Sequence, residues 1–370
     1  FWLKSSDPFG FSIVLGRCFA PLPPFQAMVA AASLLAEDNV LDKHAAQEAR
    51  SGTTDPCPKR PRLDCAPPAL VGGIVGQHGT VTCLGSTLLP DVADLLIAGD
   101  RSAAAVVDDA GNLLGVITEN DMMQAYVEGT EWNRQVPASV WLQSGRARLP
   151  GSRAQALTVR TTTPLLDAAE LLRVQAAQVA CRHLVVRDEW GLLRGILSSL
   201  DLARAVCSMG KAMEEVDRRI GAATVAEVMK PQAALPTCHS ASSMGKALRA
   251  MIDAQQNCAI IVDAEAKDPG MVGLVTPRDA MLAFAEHVPL DVAVGHWLRG
   301  LRSGFLPRIV SADAGVCEAA QVMARHSIHH LVAVSKGADE LVGVLSTSDL
   351  AHAMGSAERV AIGYEPRDDD

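Results

Sequence analysis

Glycine, two apolar residues, a hydroxyl residue, any two residues and an aspartate recur four times in this chain. The copies are GVITEND (Gly115 to Asp121), GILSSLD (Gly195 to Asp201), GLVTPRD (Gly273 to Asp279) and GVLSTSD (Gly343 to Asp349). Each ends a short apolar stretch, such as Leu113 to Ile117, and precedes a segment with helical apolar spacing, such as Met122, Met123 and Tyr126. At the start of a helix the hydroxyl is an N-cap and the aspartate falls at the third helical position. Together they form a capping-box-like pair that satisfies otherwise unpaired amides. Thr118 with Asp121, Ser198 with Asp201, Thr276 with Asp279 and Ser346 with Asp349 are the four pairs. The same geometry suits a nucleotide. Free amides and the positive end of the helix attract phosphate. The hydroxyl can donate to a phosphate oxygen, and the aspartate can accept from two ribose hydroxyls. For one copy, capping alone is sufficient; four copies favour at least one occupied site.

Repetition organises the rest of the chain. The motif aspartates are 80, 78 and 70 residues apart. Apolar strands HLVV (His183 to Val186) and HLVAV (His330 to Val334) precede two of the motifs, and VAEVMKP (Val225 to Pro231), SVWLQSG from Ser139 and GHWLRG from Gly295 open three of the units. Extra length falls in Glu128 to Ala156, with the basic stretch SGRARLPGSR from Ser144. Residues Ser208 to Ala222, with KAMEEVDRRI, read as a charged connecting helix between two halves.

Composition sets limits. The chain has 370 residues, 49% hydrophobic, enough for two cores; aromatics at 4% leave those cores to Leu, Val, Ala and Ile. A net charge of -9 opposes generic nucleic-acid binding. Nine cysteines without a CxxC pair read as buried thiols in a reducing compartment, with neither disulfides nor a metal site expected. His329 and His330 are adjacent in an apparent strand and face opposite ways, so with His326 they do not make a metal site. No run approaches the roughly 18–20 apolar residues of a membrane helix. Residues 1–70 read as a disordered or leader arm: Met28 is the first methionine, and Pro58, Lys59, Arg60, Pro61 and Arg62 read as a solvated basic patch or a nuclear-localisation signal. The expected location is the cytoplasm, with the nucleus as the alternative. Residues 359–370 are a solvated tail.

These motifs, strands and openings resemble CBS domains, small β-α-β-β-α units named after cystathionine β-synthase. The resemblance implies an α/β (α+β) fold of four repeats, about 78–128, 139–207, 223–287 and 290–356. It also implies two Bateman modules, 78–210 and 220–358, with nucleotide clefts between paired repeats. IHHL (Ile328 to Leu331) is similar to an isoleucine, histidine, arginine, leucine stretch that helps hold phosphates in the γ subunit of AMP-activated protein kinase, with His330 in place of the arginine. CRHL (Cys181 to Leu184) keeps Arg182 and His183 in swapped order. Arg182 there reads equally as a phosphate contact or a solvent-facing strand edge.

No loop or motif of a common catalytic class is present, and the repeats leave no room for a further catalytic domain. The expectation is therefore a non-catalytic regulatory protein without a cofactor. It would sense AMP, ADP, ATP or S-adenosylmethionine and pass binding to a protein partner such as a kinase or metabolic enzyme. An interaction scaffold with empty clefts and a regulatory fragment of a larger enzyme or channel are the alternatives. The apolar helix residues Leu202, Ala203, Ala205 and Val206 call for a cover, so a pseudo-dimeric monomer or a homodimer is expected. Local charge ranks the sites. Glu119 would repel phosphate at the first motif, whereas Pro277 and Arg278 favour the third, so Thr276 with Asp279 or Ser346 with Asp349 are expected to bind best.

Overall fold

The computed structural model describes residues 69–75, 79–129, 135–176, 181–208, 223–263, 271–301, 307–337 and 340–355. The Pro58–Arg62 segment, all but the last two residues of the 1–70 arm, the charged connector after Ser208 and the 359–370 tail lie outside the described residues.

Four small sheets carry the four motifs. The first orders β1 (Thr82–Leu84), β2 (Ala103–Val107), β3 (Leu113–Thr118) and β4 (Leu149–Pro150). β1 and β2 run parallel, which requires a crossover, and α2 (Leu89–Ala98) supplies it; β2 and β3 form an antiparallel hairpin. α3 (Glu119–Glu128) then leaves the end of β3. The second sheet holds β5 (Thr158–Arg160), β6 (His183–Arg187) and β7 (Leu193–Ser198), with α6 (Leu165–Leu171) as crossover and α7 (Ser199–Ser208) after the motif. The third holds β9 (Thr237–His239), β10 (Ala259–Val262) and β11 (Met271–Val275), with α9 (Met244–Asp253) and α10 (Pro277–Ala285). The fourth orders β12 (Ile309–Ser311), β13 (His330–Val334), β14 (Leu341–Ser346) and β8 (Lys230–Pro231), with α12 (Val316–His326) and α13 (Thr347–Gly355).

Repeats exchange their opening segments, and this exchange defines the pairs. α1 (Gly72–Val75) packs on β7 of the second repeat, while α4 (Ala138–Gln143) and β4 pack on β3 of the first. In the other half, α8 (Val225–Val228) and β8 dock on the fourth repeat and α11 (Val294–Leu301) on the third. Consequently the first module takes in residues before 78: Val71, Ile74 and Val75 are buried. The glycines that open the first and fourth motifs also find their reason here. A Cβ on Gly343 would stand 2.4 Å from the Lys230 carbonyl oxygen, and one on Gly115 would stand 2.7 Å from that of Leu149. The incoming segment therefore needs a residue without a side chain.

The chain thus forms four like repeats paired in two modules, in a mixed α/β fold. The sheets of the third and fourth repeats share a core of Leu235, Ile260, Val332 and Val344. The modules then meet helix to helix. α3 lies on α10, joining the first repeat to the third, and α7 lies on α12, joining the second to the fourth. Tyr126 and Phe284 meet edge to face at 6.3 Å, and the Tyr126 hydroxyl donates to the Val288 carbonyl at 2.9 Å. Leu202, Ala203 and Ala205 are fully covered by this packing, so one chain buries the faces that a single module leaves bare. Fully burying a leucine such as Leu202 contributes about 1.5–3 kcal/mol relative to leaving it exposed.

Candidate functional site

All four hydroxyl-aspartate pairs adopt one local geometry. The aspartate Oδ2 accepts from the backbone N–H and from the hydroxyl of the N-cap residue. Hydroxyl distances are 2.6 Å for Thr118 to Asp121, 2.7 Å for Ser198 to Asp201, 2.6 Å for Thr276 to Asp279 and 2.6 Å for Ser346 to Asp349. The hydroxyl proton expected to reach a phosphate is thus held by the carboxylate, which leaves the hydroxyl oxygen as an acceptor. Capping fixes Oδ2 everywhere; the second oxygen distinguishes the repeats.

Asp121 Oδ1 accepts from the Trp141 indole at 3.2 Å and from the Arg148 backbone N–H at 3.2 Å. With Thr118 N–H and hydroxyl on Oδ2, all four lone-pair positions of this buried carboxylate are taken. Asp201 Oδ1 accepts from Arg204 at 3.0 Å, and the same guanidinium reaches Ser327 at 3.1 Å. Asp349 Oδ1 carries no hydrogen bond among the described residues, while Asp349 itself is nine-tenths buried.

The motif ends and the strands before them converge where the modules meet. The Ser199 and Thr347 hydroxyls touch at 2.8 Å, and His329 Nδ1 lies 3.3 Å from Thr347 Oγ1. His183 Nε2 lies 2.9 Å from Ser102 Oγ. Arg182 is the electrostatic hub. Its guanidinium makes no hydrogen bond among the described residues; burial lowers its pKa, and Glu119 and Asp349 partly restore it. Burial, aided by Arg182, holds His183 down to about 4. Burial, then Arg182 and Lys230, hold His330 down to about 3, and His330 Nε2 is buried without a hydrogen bond. His329 is pushed well below its usual value, first by burial and then by His330 and Arg182. Near neutral pH these imidazoles are uncharged, so Arg182 supplies positive charge near Asp349, and Arg182 with Lys230 near His330. Lys230 Nζ donates to Gln256 at 2.7 Å.

Arg278 sits elsewhere than the charge ranking assumed. Its guanidinium pairs with Asp100 at 2.6 Å and Glu119 at 3.2 Å, tying the third repeat to the first. Glu119, the expected repellent group, is therefore held by an arginine of the other module; burial raises its pKa and Arg278 opposes the rise.

Two cavities adjoin motif aspartates. One of about 30 Å³ lies beside Asp201, lined by Ile196, Ile74, Val75, Thr80 and Val81 among others, room for a water or two. Another of about 170 Å³ lies beside Asp121 and is lined by Arg146, Arg148 and Arg153. These arginines belong to the basic stretch that sequence spacing treated as spare length; their alternation with small residues was the available signal. Trp141 and Ser102 gave none, because their contacts, to Asp121 and His183, cross from one repeat to another. Among the described residues no group of three His, Cys, Asp or Glu side chains is placed to hold a metal ion, no helix is long and apolar enough to cross a membrane, and six cysteines are unpaired.

The family model for the CBS domain matches residues 75–128, 152–208, 225–286 and 307–356, more than half of the chain. The chain belongs to the CBS-domain family. Among solved structures it is similar to a protein of Methanocaldococcus jannaschii described as a suggested archaeal homologue of the γ subunit of AMP-activated protein kinase. That pair is 14% identical with a TM-score of 0.55, covering 76% of this chain and 99% of the other. An uncharacterised conserved protein of Pyrococcus horikoshii is 19% identical, with a TM-score of 0.44 over 75% of this chain and 96% of that one. A CBS-domain protein of Pyrobaculum aerophilum, solved in complex with AMP, is 22% identical, with a TM-score of 0.32 over 40% and 99%. No curated protein matches the sequence.

Proposed function

We propose that this chain is a non-catalytic regulatory protein that binds an adenine nucleotide at the fourth motif, near Asp349, Arg182, Lys230 and His330. The observation that carries this reading is the Oδ1 of Asp349, without a hydrogen bond among the described residues, in the field of an Arg182 guanidinium that likewise makes none among them. Asp349 Oδ1 accepts from ribose hydroxyls; Arg182 and Lys230 face phosphate oxygens. His330 Nε2 is a buried polar atom in need of a partner, and a nucleotide gives it one. Because Arg182 belongs to one module and Asp349 to the other, a ligand touching both ties the modules together and shifts the population towards the arrangement it binds. That shift is what a partner protein reads.

Asp121 and Asp201, whose second oxygens are already bonded, favour a second reading for the first module, a scaffold in which the motifs are helix caps. Calorimetric titration of AMP, ADP, ATP and S-adenosylmethionine tests the proposal. The parent is expected to give saturable heat with at least one of them, Asp349→Ala and Arg182→Ala to lose it, and Asp121→Asn to retain it. Silence of the parent towards all four ligands overturns the nucleotide reading and leaves the scaffold.

A further inference from the structure

We propose that the tip of the hairpin between β6 and β7 is a docking platform for the chain's own Pro58–Arg62 segment, with Trp190 receiving the prolines and Glu189 the basic side chains. The tip is held rigid from below. Asp188 Oδ1 accepts from the backbone N–H of Trp190 at 3.0 Å and of Leu192 at 2.8 Å, while its Oδ2 pairs with Arg194 at 2.7 Å. Gly191 supplies the left-handed turn at φ +82°, and Arg187 donates to the Gly191 carbonyl at 2.6 Å. On this frame Trp190 is 79% exposed and Leu192 59%, the two highest values among the described large apolar residues.

The turn itself does not require either side chain. The tip between β2 and β3 has the same frame: Asp108 Oδ1 accepts from the backbone N–H of Ala110 at 3.0 Å and of Asn112 at 2.7 Å, and Gly111 has φ +83°. Ala110 stands where Trp190 does, and Asn112 where Leu192 does. One backbone geometry is thus made with a methyl group and an amide, so the indole and the leucine serve something outside the turn.

The occupant follows from where the arm joins the first module. The Ala69 carbonyl accepts from the Leu165 N–H at 2.8 Å, and exposed Leu70 bridges Pro164. Gly72 donates to the Thr161 carbonyl at 2.8 Å, and Thr161 donates to that of Arg187 at 2.9 Å, one residue before the tip. The arm is therefore anchored beside Trp190. Arg62 precedes Ala69 by seven residues (69 minus 62), a tether that reaches roughly 20 Å at about 3.1 Å per residue when extended. Chemistry matches reach. Pro58 and Pro61 have the P-x-x-P spacing that aromatic platforms recognise, and the cations of Lys59, Arg60 and Arg62 complement the exposed carboxylate of Glu189. A guanidinium next to these prolines also stacks on the indole face. The contact covers the one segment that reads as a nuclear-localisation signal, and a partner that takes Trp190 uncovers it.

Limited trypsin digestion of the full chain, followed at the Arg62–Leu63 bond by mass spectrometry, tests this. Trp190→Ala combined with Leu192→Asn writes the first repeat's residues into the tip and keeps its hydrogen-bonded frame; an unchanged urea midpoint checks that the fold is kept. The bond is expected to be cut at least tenfold faster in this double variant than in the parent. Glu189→Gln, an exposed change outside the turn's hydrogen bonds, is expected to speed cleavage at least threefold. Cleavage of the parent as fast as the double variant overturns the proposal, as does protection that persists in both variants. Protection that fades on dilution places the arm of a second copy on the tip and overturns the contact within one chain.

Discussion

The Trp141 indole donates to Asp121 Oδ1 at 3.2 Å, across 20 residues and from the opening of one repeat to the motif of the other. In the second module Trp297 occupies the corresponding opening helix, is also buried, and its Nε1 makes no hydrogen bond among the described residues. Two like side chains in like places therefore differ in whether their polar atom is satisfied. The first module is locked by a polar contact that the second lacks.

Replacing each tryptophan by phenylalanine isolates that contact. Both changes remove similar volume, but only Trp141→Phe strips a partner from a buried carboxylate. Trp141→Phe is expected to cost about 1 kcal/mol more than Trp297→Phe in urea unfolding. Equal losses would mean that the indole bond contributes nothing to stability.

Arg278 links the modules through Asp100 and Glu119, and the link has a pH signature. Glu119 is 12% exposed and Arg278 27%, so a double-mutant cycle with Glu119→Gln and Arg278→Ala is expected to return about 1–2 kcal/mol of coupling. Burial raises the Glu119 pKa, so its contribution to stability is present below the ordinary value of 4.5 and is lost as pH rises through the folded value. Removing Arg278 raises that pKa further. The deficit of Arg278→Ala should be largest near neutral pH and shrink below pH 4.5; a deficit independent of pH would contradict the assignment.

The buried imidazoles act in the opposite direction. His183 at about 4 and His330 at about 3 lie below the ordinary 6.5, so both stay neutral when folded and take up protons on unfolding. Their stabilisation is complete above pH 6.5 and is lost as pH falls towards the folded values, at up to about 1.4 kcal/mol per pH unit for each group. Urea midpoints measured from pH 7.5 to 4.5 should fall with acid. His330→Asn should show a shallower fall, and an unchanged slope would remove His330 from the account.

Gly343 admits the Lys230 backbone, whereas Gly300 on α11 has open space around it. Gly343→Ala is expected to destabilise by about 1–3 kcal/mol, because the opening strand β8 must move off β14. Gly300→Ala is expected to stabilise by about 0.5–1 kcal/mol through helix propensity alone. Thermal melts of the two variants moving in the same direction would refute the close-approach explanation.

Much of the fold was legible in the residues themselves because its signals are local. Four copies of a strand ending in a hydroxyl residue and an aspartate three positions on determine their own turn geometry, and Thr118, Ser198, Thr276 and Ser346 all bond their aspartates as that spacing dictates. Apolar positions such as Leu202 and Ala205 likewise announced a face that must be covered. What differentiates the four motifs is not local. Trp141 finds Asp121 at a separation of 20 residues, Arg278 finds Glu119 at 159, and Ser199 finds Thr347 at 148. Each of these contacts exists only once opening segments have been exchanged and helix faces joined. A carboxylate looks the same in sequence whether its lone pairs are spent, as at Asp121, or open, as at Oδ1 of Asp349. Hydrogen-bond capacity is used up by whatever the tertiary packing brings within about 3 Å, so the order of the repeats was written in the chain while the division of labour among their aspartates was decided by the fold.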